Sequence, residues 1–378
     1  AEGESLKKAV AALLCLWAIA GTAQQEPFAY RPAIPSPDAE NALLVDLDWA
    51  GERLVAVGEQ GHIIYSDDAG ASWQHAEVPV SLMLTAVDFP APDAGWAVGH
   101  EGITLKSVDR GETWSFALTG EDIAELQVDA AGELIEEARE RLENAPEDAK
   151  EDARWALDEA QFALEDAERA REEGITHPAL NVRFENERSG YITGAYGLLL
   201  RTDDGGETWR LHSHRLDNPN GFHLYDIARS ESGALLIAGE AGQLHRSRDN
   251  GATWEALDSP YEGSFFGVIA TEQGSVLIFG LRGRIFRSED DGDTWTPIDA
   301  PGESTLFAGQ LFPNGRIVLV GAAGTVLESR DDGRSFSTLP LDTRASLAAV
   351  EKVGNGRLLT AGFGGIRAGL DTAGGAAP

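Results

Sequence analysis

Six copies of one short pattern organise this 378-residue chain. The pattern is Ser/Thr-x-Asp-x-Gly-x-Thr/Ser-Trp/Phe, and its copies begin at positions 66, 107, 202, 247, 288 and 329. Their residues are Ser66-Asp68-Gly70-Ser72-Trp73, Ser107-Asp109-Gly111-Thr113-Trp114, Thr202-Asp204-Gly206-Thr208-Trp209, Ser247-Asp249-Gly251-Thr253-Trp254, Ser288-Asp290-Gly292-Thr294-Trp295 and Ser329-Asp331-Gly333-Ser335-Phe336. A period of about forty residues, with strand-like sequence between turns, is typical of propeller blades.

Each copy of the pattern, which we call an Asp box, is predicted to be a structural turn. The Asp carboxylate and the preceding hydroxyl can both accept backbone N–H bonds within a turn. The Gly permits a left-handed backbone, and the aromatic ring can be buried between neighbouring blades. We therefore expect the boxes to hold blades together. Because blades keep their turns far apart, six such Asp residues do not predict a metal cluster.

Between the boxes, each repeat contains four short apolar segments separated by glycine-bearing turns, which predicts a four-stranded blade. Residues 347–353, 357–362 and 366–370 predict a degenerate seventh blade that lacks a box. We expect its missing fourth strand to come from the segment around 28–34, which would close the ring. The predicted fold class is all-β, a seven-bladed β-propeller over residues 24–378 with an inserted antiparallel α-helical hairpin.

The one long interval between boxes contains an insertion at residues 120–174. Residues 121–175 include 20 acidic and 6 basic residues, a net charge of −14. Glycine and β-branched residues nearly vanish there, which predicts helices at 121–144 and 147–173, separated by Pro146 and capped by Gly174. Alanines recur at steps of 4 and 3, which predicts close packing of the two helices. They are Ala149, Ala153, Ala156, Ala160, Ala163, Ala167 and Ala170, and they would face Ile135, Ala138 and Leu142.

The hairpin joins the last strand of blade 2 to the first strand of blade 3. In a propeller that connection lies on the same face as the turns between second and third strands, which we call the turn-bearing face. These turns carry Glu59-Gln60, His100-Glu101, Ala195-Tyr196, Glu240-Ala241, Leu281-Arg282, Ala322-Ala323 and Phe363-Gly364. Four apolar residues lie off the alanine seam, and they either pack on the propeller or dock a partner. They are Trp155, Leu157, Phe162 and Leu164.

The formal net charge of −33 argues against DNA, RNA or an anionic membrane surface as partners. A basic or polar protein partner fits this charge, and so does simple solubility or adaptation to salt.

The N-terminus predicts export. Lys7 and Lys8 precede an apolar run at 9–20, and small residues follow at 21–23. These are the parts of a secretory signal, so we expect a signal peptide at 1–23, without its first residues, and a periplasmic mature chain. The only cysteine, Cys15, lies within this segment. It follows Leu14 where a lipoprotein signal has a small residue, and this favours cleavage without lipidation.

The boxes and the preceding Gly-x-x-Gly turns, such as Gly58-Glu59-Gln60-Gly61 and Gly99-His100-Glu101-Gly102, resemble those of Asp-box (BNR) repeat proteins. The blade count and single propeller are similar to the exported photosystem II stability/assembly factor-like family. That resemblance implies a non-enzymatic scaffold, assembly factor or accessory subunit for a membrane or envelope protein complex. In bacteria that are not photosynthetic, it implies companions of envelope complexes, including RND-type exporters.

The chain departs from the photosynthetic members in its acidic insertion and its strong negative charge. Those members use a basic surface patch. The nearest candidates here are Arg282, Arg284 and Arg287, with Arg246 and Arg248 on the preceding blade.

Enzymatic alternatives have little support in the residues. A carbohydrate-active or glycan-binding Asp-box propeller of the sialidase type stays open, because paired carboxylates at a propeller centre could hydrolyse glycans. His212 and His214, with His223 nearby, lack the spacing of a metal site. The sequence thus predicts no catalytic residue, cofactor or metal. The predicted partner-binding residues lie on the turn-bearing face and the hairpin. They are Glu59, His100, Glu101, Tyr196, Glu240, Arg282, Arg284, Phe363, Trp155 and Phe162.

Overall fold

The computed structural model describes residues 30–354 and 356–368. The strands of the first three blades are β1 (Leu44–Ala50), β2 (Arg53–Gly58), β3 (Ile63–Ser66), β4 (Gln74–His75), β5 (Leu84–Ala91), β6 (Ala94–Gly99), β7 (Thr104–Ser107), β8 (Ser115–Leu118), β9 (Ala179–Phe184), β10 (Gly190–Gly194), β11 (Leu199–Thr202) and β12 (Arg210–Leu211). Those of the last four are β13 (Leu224–Arg229), β14 (Leu235–Gly239), β15 (Leu244–Ser247), β16 (Glu255–Ala256), β17 (Phe265–Ala270), β18 (Val276–Gly280), β19 (Ile285–Ser288), β20 (Thr296–Pro297), β21 (Leu306–Leu311), β22 (Ile317–Gly321), β23 (Val326–Ser329), β24 (Ser337–Thr338), β25 (Leu347–Val353), β26 (Arg357–Gly362) and β27 (Arg367–Ala368).

The strands form seven antiparallel sheets, and neighbouring strands in each sheet follow one another in the chain. The first strand of every blade packs against the first strands of both neighbouring blades, and β1 packs against β25, so the sheets form a ring. The second strands β10, β14, β18 and β22 are buried along their whole length between blades. The predicted seven-bladed propeller with an inserted helical hairpin is therefore confirmed.

The expected closing strand is wrong for the residues that the structure describes. The seventh sheet has three described strands, and none of them comes from residues 30–34. Ala33 instead donates its N–H to Val78 O over 3.0 Å, and Tyr30 packs against the apolar cluster of blades 1 and 2. Pro32 and Pro35 have no N–H, which makes this segment a poor strand. Residues 28 and 29, like the predicted signal peptide, lie outside the described residues.

Side-chain and loop contacts close the ring between blades 7 and 1. Leu44 and Leu47 of β1 share an apolar cluster with Ala349 and Val353 of β25. The Ile366 N–H donates to Glu40 O over 2.8 Å, which ties the last described turn of blade 7 to the segment before β1. In the described residues, ring closure thus depends on packing between whole blades.

All six Asp boxes share one hydrogen-bond pattern. In the first, the Ser66 hydroxyl donates to Asp68 Oδ1 over 2.8 Å and accepts the Gly70 N–H over 2.8 Å. Asp68 also accepts the Ser72 N–H over 2.8 Å and its hydroxyl over 2.6 Å. These hydroxyl and N–H bonds lower the pKa of Asp68 to about 2. The carboxylate therefore stabilises the turn of its own box.

Each box also contacts the preceding blade at its glycine. A Cβ on Gly206 would lie 2.1 Å from the ring of Trp96 in blade 2, and one on Gly333 would lie 2.3 Å from Leu277 in blade 5. The box tryptophan packs at the same place, since the Trp209 and Trp96 rings lie 5.7 Å apart in edge-to-face geometry. A side chain in place of these glycines would push neighbouring blades apart.

A cation from each of five blades reaches the box of the next blade. Its acceptor is the carbonyl of the residue before the box glycine, which adopts a left-handed backbone in every box. Four of these cations stand directly before the first box residue of their own blade. The donors are Arg53, Lys106, Arg201, Arg246 and Arg287, and the acceptors are the carbonyls of Arg110, Gly205, Asn250, Asp291 and Asp332.

The inserted helices are α1 (Gly120–Asn144) and α2 (Lys150–Glu173). Thr119 and Asp122 form a capping box at the start of α1, and Gly174 ends α2 with φ of 68°. The second helix begins three residues later than predicted, because Pro146 begins a turn in which Ala149 N–H bonds to Pro146 O. None of the described helices is long and apolar enough to cross a membrane.

The alanine seam is buried between the two helices at Ala153 and Ala160, and Ala160 packs with Ile135 and Ala138, whereas Ala163 is exposed. Only α1 makes extensive contact with the propeller. Ile123 is 1% exposed and shares an apolar cluster with Val98 and Ala179 of blades 2 and 3. The base of the hairpin is thus part of the propeller core.

Replacing Arg287 with alanine should destabilise the propeller by about 3 kcal/mol, because a buried carboxylate would lose its closest cation. Arg287 Nη2 lies 2.5 Å from Asp332 Oδ2, and the Asp332 side chain is 1% exposed. Urea denaturation would measure the loss. The control is Arg284→Ala on the same blade, since Arg284 is exposed and forms no ion pair among the described residues. Equal stability of the two variants would contradict this role of Arg287.

Candidate partner-binding surface

The turns of the turn-bearing face share one backbone conformation. In blades 1–6 each is a single turn of 3₁₀ helix whose second residue has φ between 52° and 58°. These second residues are Gln60, Glu101, Tyr196, Ala241, Arg282 and Ala323, with Gly364 at the matching place in blade 7. Residues other than glycine rarely adopt this left-handed backbone conformation. Its presence at a non-glycine residue in each of blades 1–6 was not predicted.

The predicted partner-binding residues on these turns differ in their freedom to bind. Glu59 and Glu240 each bind the residue that precedes the first strand of their own blade. Glu59 accepts the Leu43 N–H over 2.8 Å, and Glu240 accepts the His223 N–H over 3.1 Å. His100, Arg282 and Arg284 are exposed, and Glu101 is half-buried. Tyr196 and Phe363 are 62% and 65% exposed. Tyr196 and Phe363 are thus the two large aromatic side chains that these turns expose.

Aromatic rings also form an unpredicted arc across blades 3 to 6. Consecutive ring centres along it lie 4.9 to 6.2 Å apart. The arc consists of His177, Tyr196, His223, Tyr225, Phe266 and Phe307. Its last three members each occupy the second position of an innermost strand, so aligning the repeats on their first strands could have revealed it.

Below the arc, the innermost strands line an axial cavity of about 420 Å³. Its wall carries Asp46, Asp48, Asp88, Asp226 and Glu351, together with Arg183. Four of the carboxylates accept a backbone N–H from the inner strand of the next blade. The pairs are Asp46 with Val87, Asp48 with Phe89, Asp88 with Phe184, and Asp226 with Val268, over 2.6 to 3.0 Å. These carboxylates thus supply acceptors for backbone N–H groups at strand edges that are not paired with another strand.

Burial in the cavity wall makes these carboxyl groups hard to ionise. It raises the pKa of Asp46 and Asp88 to about 7, that of Asp48 to about 6 and that of Glu351 to about 8. Arg183 also lines the cavity and forms no ion pair among the described residues. The pKa values of these carboxyl groups therefore lie well above the ordinary values of Asp and Glu.

The two large aromatic residues of α2 do not pack on the propeller. Trp155 is 67% exposed and Phe162 is 66% exposed, whereas Leu157 and Leu164 are half-buried against Ala160 and its neighbours within the hairpin. Of the two predicted roles, packing on the propeller is wrong for Trp155 and Phe162. A groove of about 570 Å³ separates the hairpin from blade 3, lined by Ala131, Leu134, Leu211 and Leu216 among others.

Arg246 and Arg287 are not part of a free basic patch. They are 4% and 7% exposed, and both are bound to carboxylates and to the next box. Arg248 lies 3.4 Å from Asp293. Only Arg282 and Arg284 of the five candidates lie exposed on the turn-bearing side without an ion pair among the described residues. Sequence reasoning missed this because the ion pairs that join neighbouring blades connect residues 45 to 47 positions apart, as in Arg246–Asp293, Arg248–Asp293 and Arg287–Asp332.

The histidines considered as metal ligands do not meet. His212 is buried with Nδ1 3.2 Å from Gly251 O, and burial lowers its pKa to about 4. His223 Nδ1 instead accepts the Tyr196 N–H over 3.1 Å. Within residues 30–354 and 356–368, no group of three or more histidine, cysteine or acidic residues could hold a metal ion.

The cavity carboxyls should make the propeller less stable as pH rises from about 6.5 to 8. Asp88, with a pKa of about 7 against an ordinary value of 3.8, binds a proton in the folded chain that the unfolded chain lacks. Stability from this proton is complete below the ordinary pKa of 3.8, declines as pH rises, and is lost once pH passes about 7. Asp88→Asn keeps an acceptor for the Phe184 N–H, so we expect it to remove roughly 1 kcal/mol of the pH dependence.

Urea denaturation at pH 6.5 and pH 8 would measure this dependence. The histidines with lowered pKa values act in the opposite direction around pH 6.5, but they are the same in both proteins, so their effect cancels when wild type and Asp88→Asn are compared. The matched control is Asp93→Asn, because Asp93 is exposed on the same blade. The same pH dependence in wild type and Asp88→Asn would contradict the assignment.

A family model described as "Photosynthesis system II assembly factor YCF48" matches residues 169–302. The chain is 35% identical over 78 residues to photosystem II assembly lipoprotein Ycf48 of Synechococcus sp. (strain CC9902), covering 21% of this chain and 23% of that protein. It is 34% identical over 70 residues to the chloroplastic photosystem II stability/assembly factor HCF136 of Cyanidioschyzon merolae (strain NIES-3377 / 10D), covering 17% and 16%. The matches thus span less than a quarter of these relatives.

Two solved structures share the fold over most of their length. A structure described as YCF48 bound to D1 peptide covers 91% of this chain and 97% of its own, with 16% identity and a TM-score of 0.58. YCF48 from Cyanidioschyzon merolae covers 92% and 100%, with 14% identity and a TM-score of 0.60. The chain is therefore a BNR-type propeller that resembles the photosystem II assembly factor family.

Proposed function

We propose that this chain is a non-enzymatic, exported propeller that acts as a scaffold, assembly factor or accessory subunit for a membrane or envelope protein complex. It binds its partner through the turn-bearing face and the hairpin. The predicted signal peptide, and the names of the lipoprotein and chloroplast relatives, favour an extracytoplasmic, periplasmic location.

One observation carries the proposal: exposed apolar side chains are concentrated on one side of the molecule. Nine large apolar side chains are exposed in the described residues, and six of them lie on the turn-bearing face or the hairpin. These six are Trp155, Phe162, Ile175, Tyr196, Phe307 and Phe363. Exposed apolar groups gathered on one side are typical of protein interaction sites. The opposite face, with its Asp boxes, uses its charges to join blades.

The partner is proposed only as a membrane or envelope protein. The relatives are named for photosystem II, but they share less than a quarter of their length with this chain, and three of its five candidate basic residues are ion-paired. An RND-type exporter, which the sequence resemblance also implied, has no support in the comparisons.

Affinity purification of the full chain from detergent-solubilised membranes, followed by mass spectrometry, tests the proposal. We expect a membrane protein to be recovered with the intact chain and at least tenfold less of it with Tyr196→Ala. Alanine fits this site, because Ala241 and Ala323 adopt the same left-handed backbone in their own turns. The matched control is Val108→Ala, since Val108 is 71% exposed within the Asp box of blade 2.

A truncated hairpin separates the two parts of the surface. Replacing residues 134–162 with a short glycine–asparagine loop keeps Ile123 in the core and the Arg171–Glu125 ion pair at 2.7 Å. Loss of the partner from this variant alone would place binding on the hairpin. Recovery of no membrane protein with the intact chain, or equal recovery with Tyr196→Ala, the truncated hairpin and Val108→Ala, would contradict the proposed surface.

A carbohydrate-active propeller is the second candidate, and the axial cavity is the observation that favours it. Carboxyl groups with pKa values of about 6 to 8 resemble the general acids of glycosidases. Three of these groups, Asp46, Asp48 and Asp88, already accept a backbone N–H from the next blade, which favours a structural role. Turnover of a defined oligosaccharide panel by the intact chain, abolished by Glu351→Gln, would establish this alternative in place of the scaffold.

A further inference from the structure

The outer face of α2 combines two exposed aromatic rings with acidic residues on both sides. Trp155 and Phe162 lie seven residues apart, which is two helical turns and about 10 Å along the axis. Both point away from the alanine seam, because they lie at the heptad position nearly opposite it. We call this strip of α2 the aromatic–acidic face.

Only carboxylates occupy the two heptad columns beside these rings. One column holds Glu151, Asp158, Glu165 and Glu172, and the other holds Asp152, Glu159, Asp166 and Glu173. All eight are exposed. Asp166 pairs with Arg169 over 3.0 Å, and the other seven have no ion pair among the described residues. The face therefore has unneutralised negative charge around an apolar centre.

Solubility explains the carboxylates but not the rings between them. An exposed helix is soluble without tryptophan and phenylalanine on its outermost face, and such rings on a surface mark contact sites. A second copy of this chain does not fit, because two aromatic–acidic faces would bring like charges together. An anionic bilayer is repelled for the same reason.

We infer that the aromatic–acidic face binds an amphipathic helix of the partner in which lysine and arginine residues flank an apolar stripe. This rests on the proposed function and specifies the chemistry of its partner. Apolar side chains of the bound helix cover Trp155 and Phe162, while its cations approach the two acidic columns. The apolar stripe that fits this face is two helical turns long, because the next residue at the heptad position of Trp155 and Phe162 is Arg169. A contact of this size is weak alone and adds to binding on the turn-bearing face.

A defined peptide tests the chemistry without requiring the partner. The probe is a fluorescein-labelled peptide of 18 residues in which leucines form one helical stripe and lysines fill the other positions. A control peptide has the same composition with leucines scattered around the helix. Fluorescence anisotropy with the full chain at 50 mM salt should show at least tenfold tighter binding of the striped peptide, and added salt should weaken it.

Paired variants locate the binding. Trp155→Ala/Phe162→Ala keeps good helix formers on an exposed face, so the fold is retained, and it should abolish the preference for the striped peptide. Val108→Ala, at an equally exposed apolar residue in the Asp box of blade 2, should leave that preference intact. Equal binding of both peptides, or an unchanged preference in the double variant, would overturn the inference. So would binding to anionic phosphatidylglycerol vesicles that the double variant loses.

The membrane-protein purification separates this inference from the proposed function. Recovery of the same amount of membrane protein with Trp155→Ala/Phe162→Ala as with the intact chain would overturn the inference and leave the proposed function standing. Recovery of nothing with the intact chain would contradict the proposed function, and the peptide titration would then decide the chemistry of the face.

Discussion

Seven separate sheets must be held in a ring although, within residues 30–354 and 356–368, no backbone ladder joins one sheet to the next. Among the described residues, the strand-to-strand ladder hydrogen bonds of each blade stay within that blade. Neighbours are joined by three kinds of contact: box glycines against the preceding blade, cations on the left-handed carbonyl of the next box, and inner-strand Asp residues on the next inner strand. Each contact needs a specific residue in a specific register, which is why the pattern recurs with so constant a period.

This requirement divides the molecule into two sides with different tasks. On the Asp-box side, Arg246, Arg287 and their carboxylates are committed to neighbouring blades. On the turn-bearing side, few side chains, such as Glu59 and Glu240, bind the backbone. Tyr196 and Phe363 are left exposed there. The hairpin extends that side, because its base is fixed in the core by Ile123 and its outer helix has no extensive contact with the propeller. Rigidity and recognition are thus built from different residues.

The sequence predicted the blade count, the helical hairpin and the face on which it stands, because each depends on a local pattern or on chain order. The contacts between blades were not predicted, since Arg287 and Asp332 lie 45 residues apart and meet only once blades are placed side by side. The closing strand was predicted from the need to cover an edge, but Pro32 and Pro35 disfavour strand pairing and blade 1 packs directly on blade 7. The axial carboxylates were missed because they come from four different blades and are brought together only when the ring is closed.

The repeated left-handed turn has a consequence for how such a surface can change. Its backbone is the same whether the second residue is Gln60, Tyr196, Ala241 or Arg282. The hydrogen bonds within the turn join main-chain atoms, such as the His62 N–H and Glu59 O, so the side chain of the second residue is not needed to form it. The propeller therefore presents a circle of interchangeable positions on a constant frame. Substitutions at these positions can therefore change the binding specificity of the surface one residue at a time, without any change in the blades beneath.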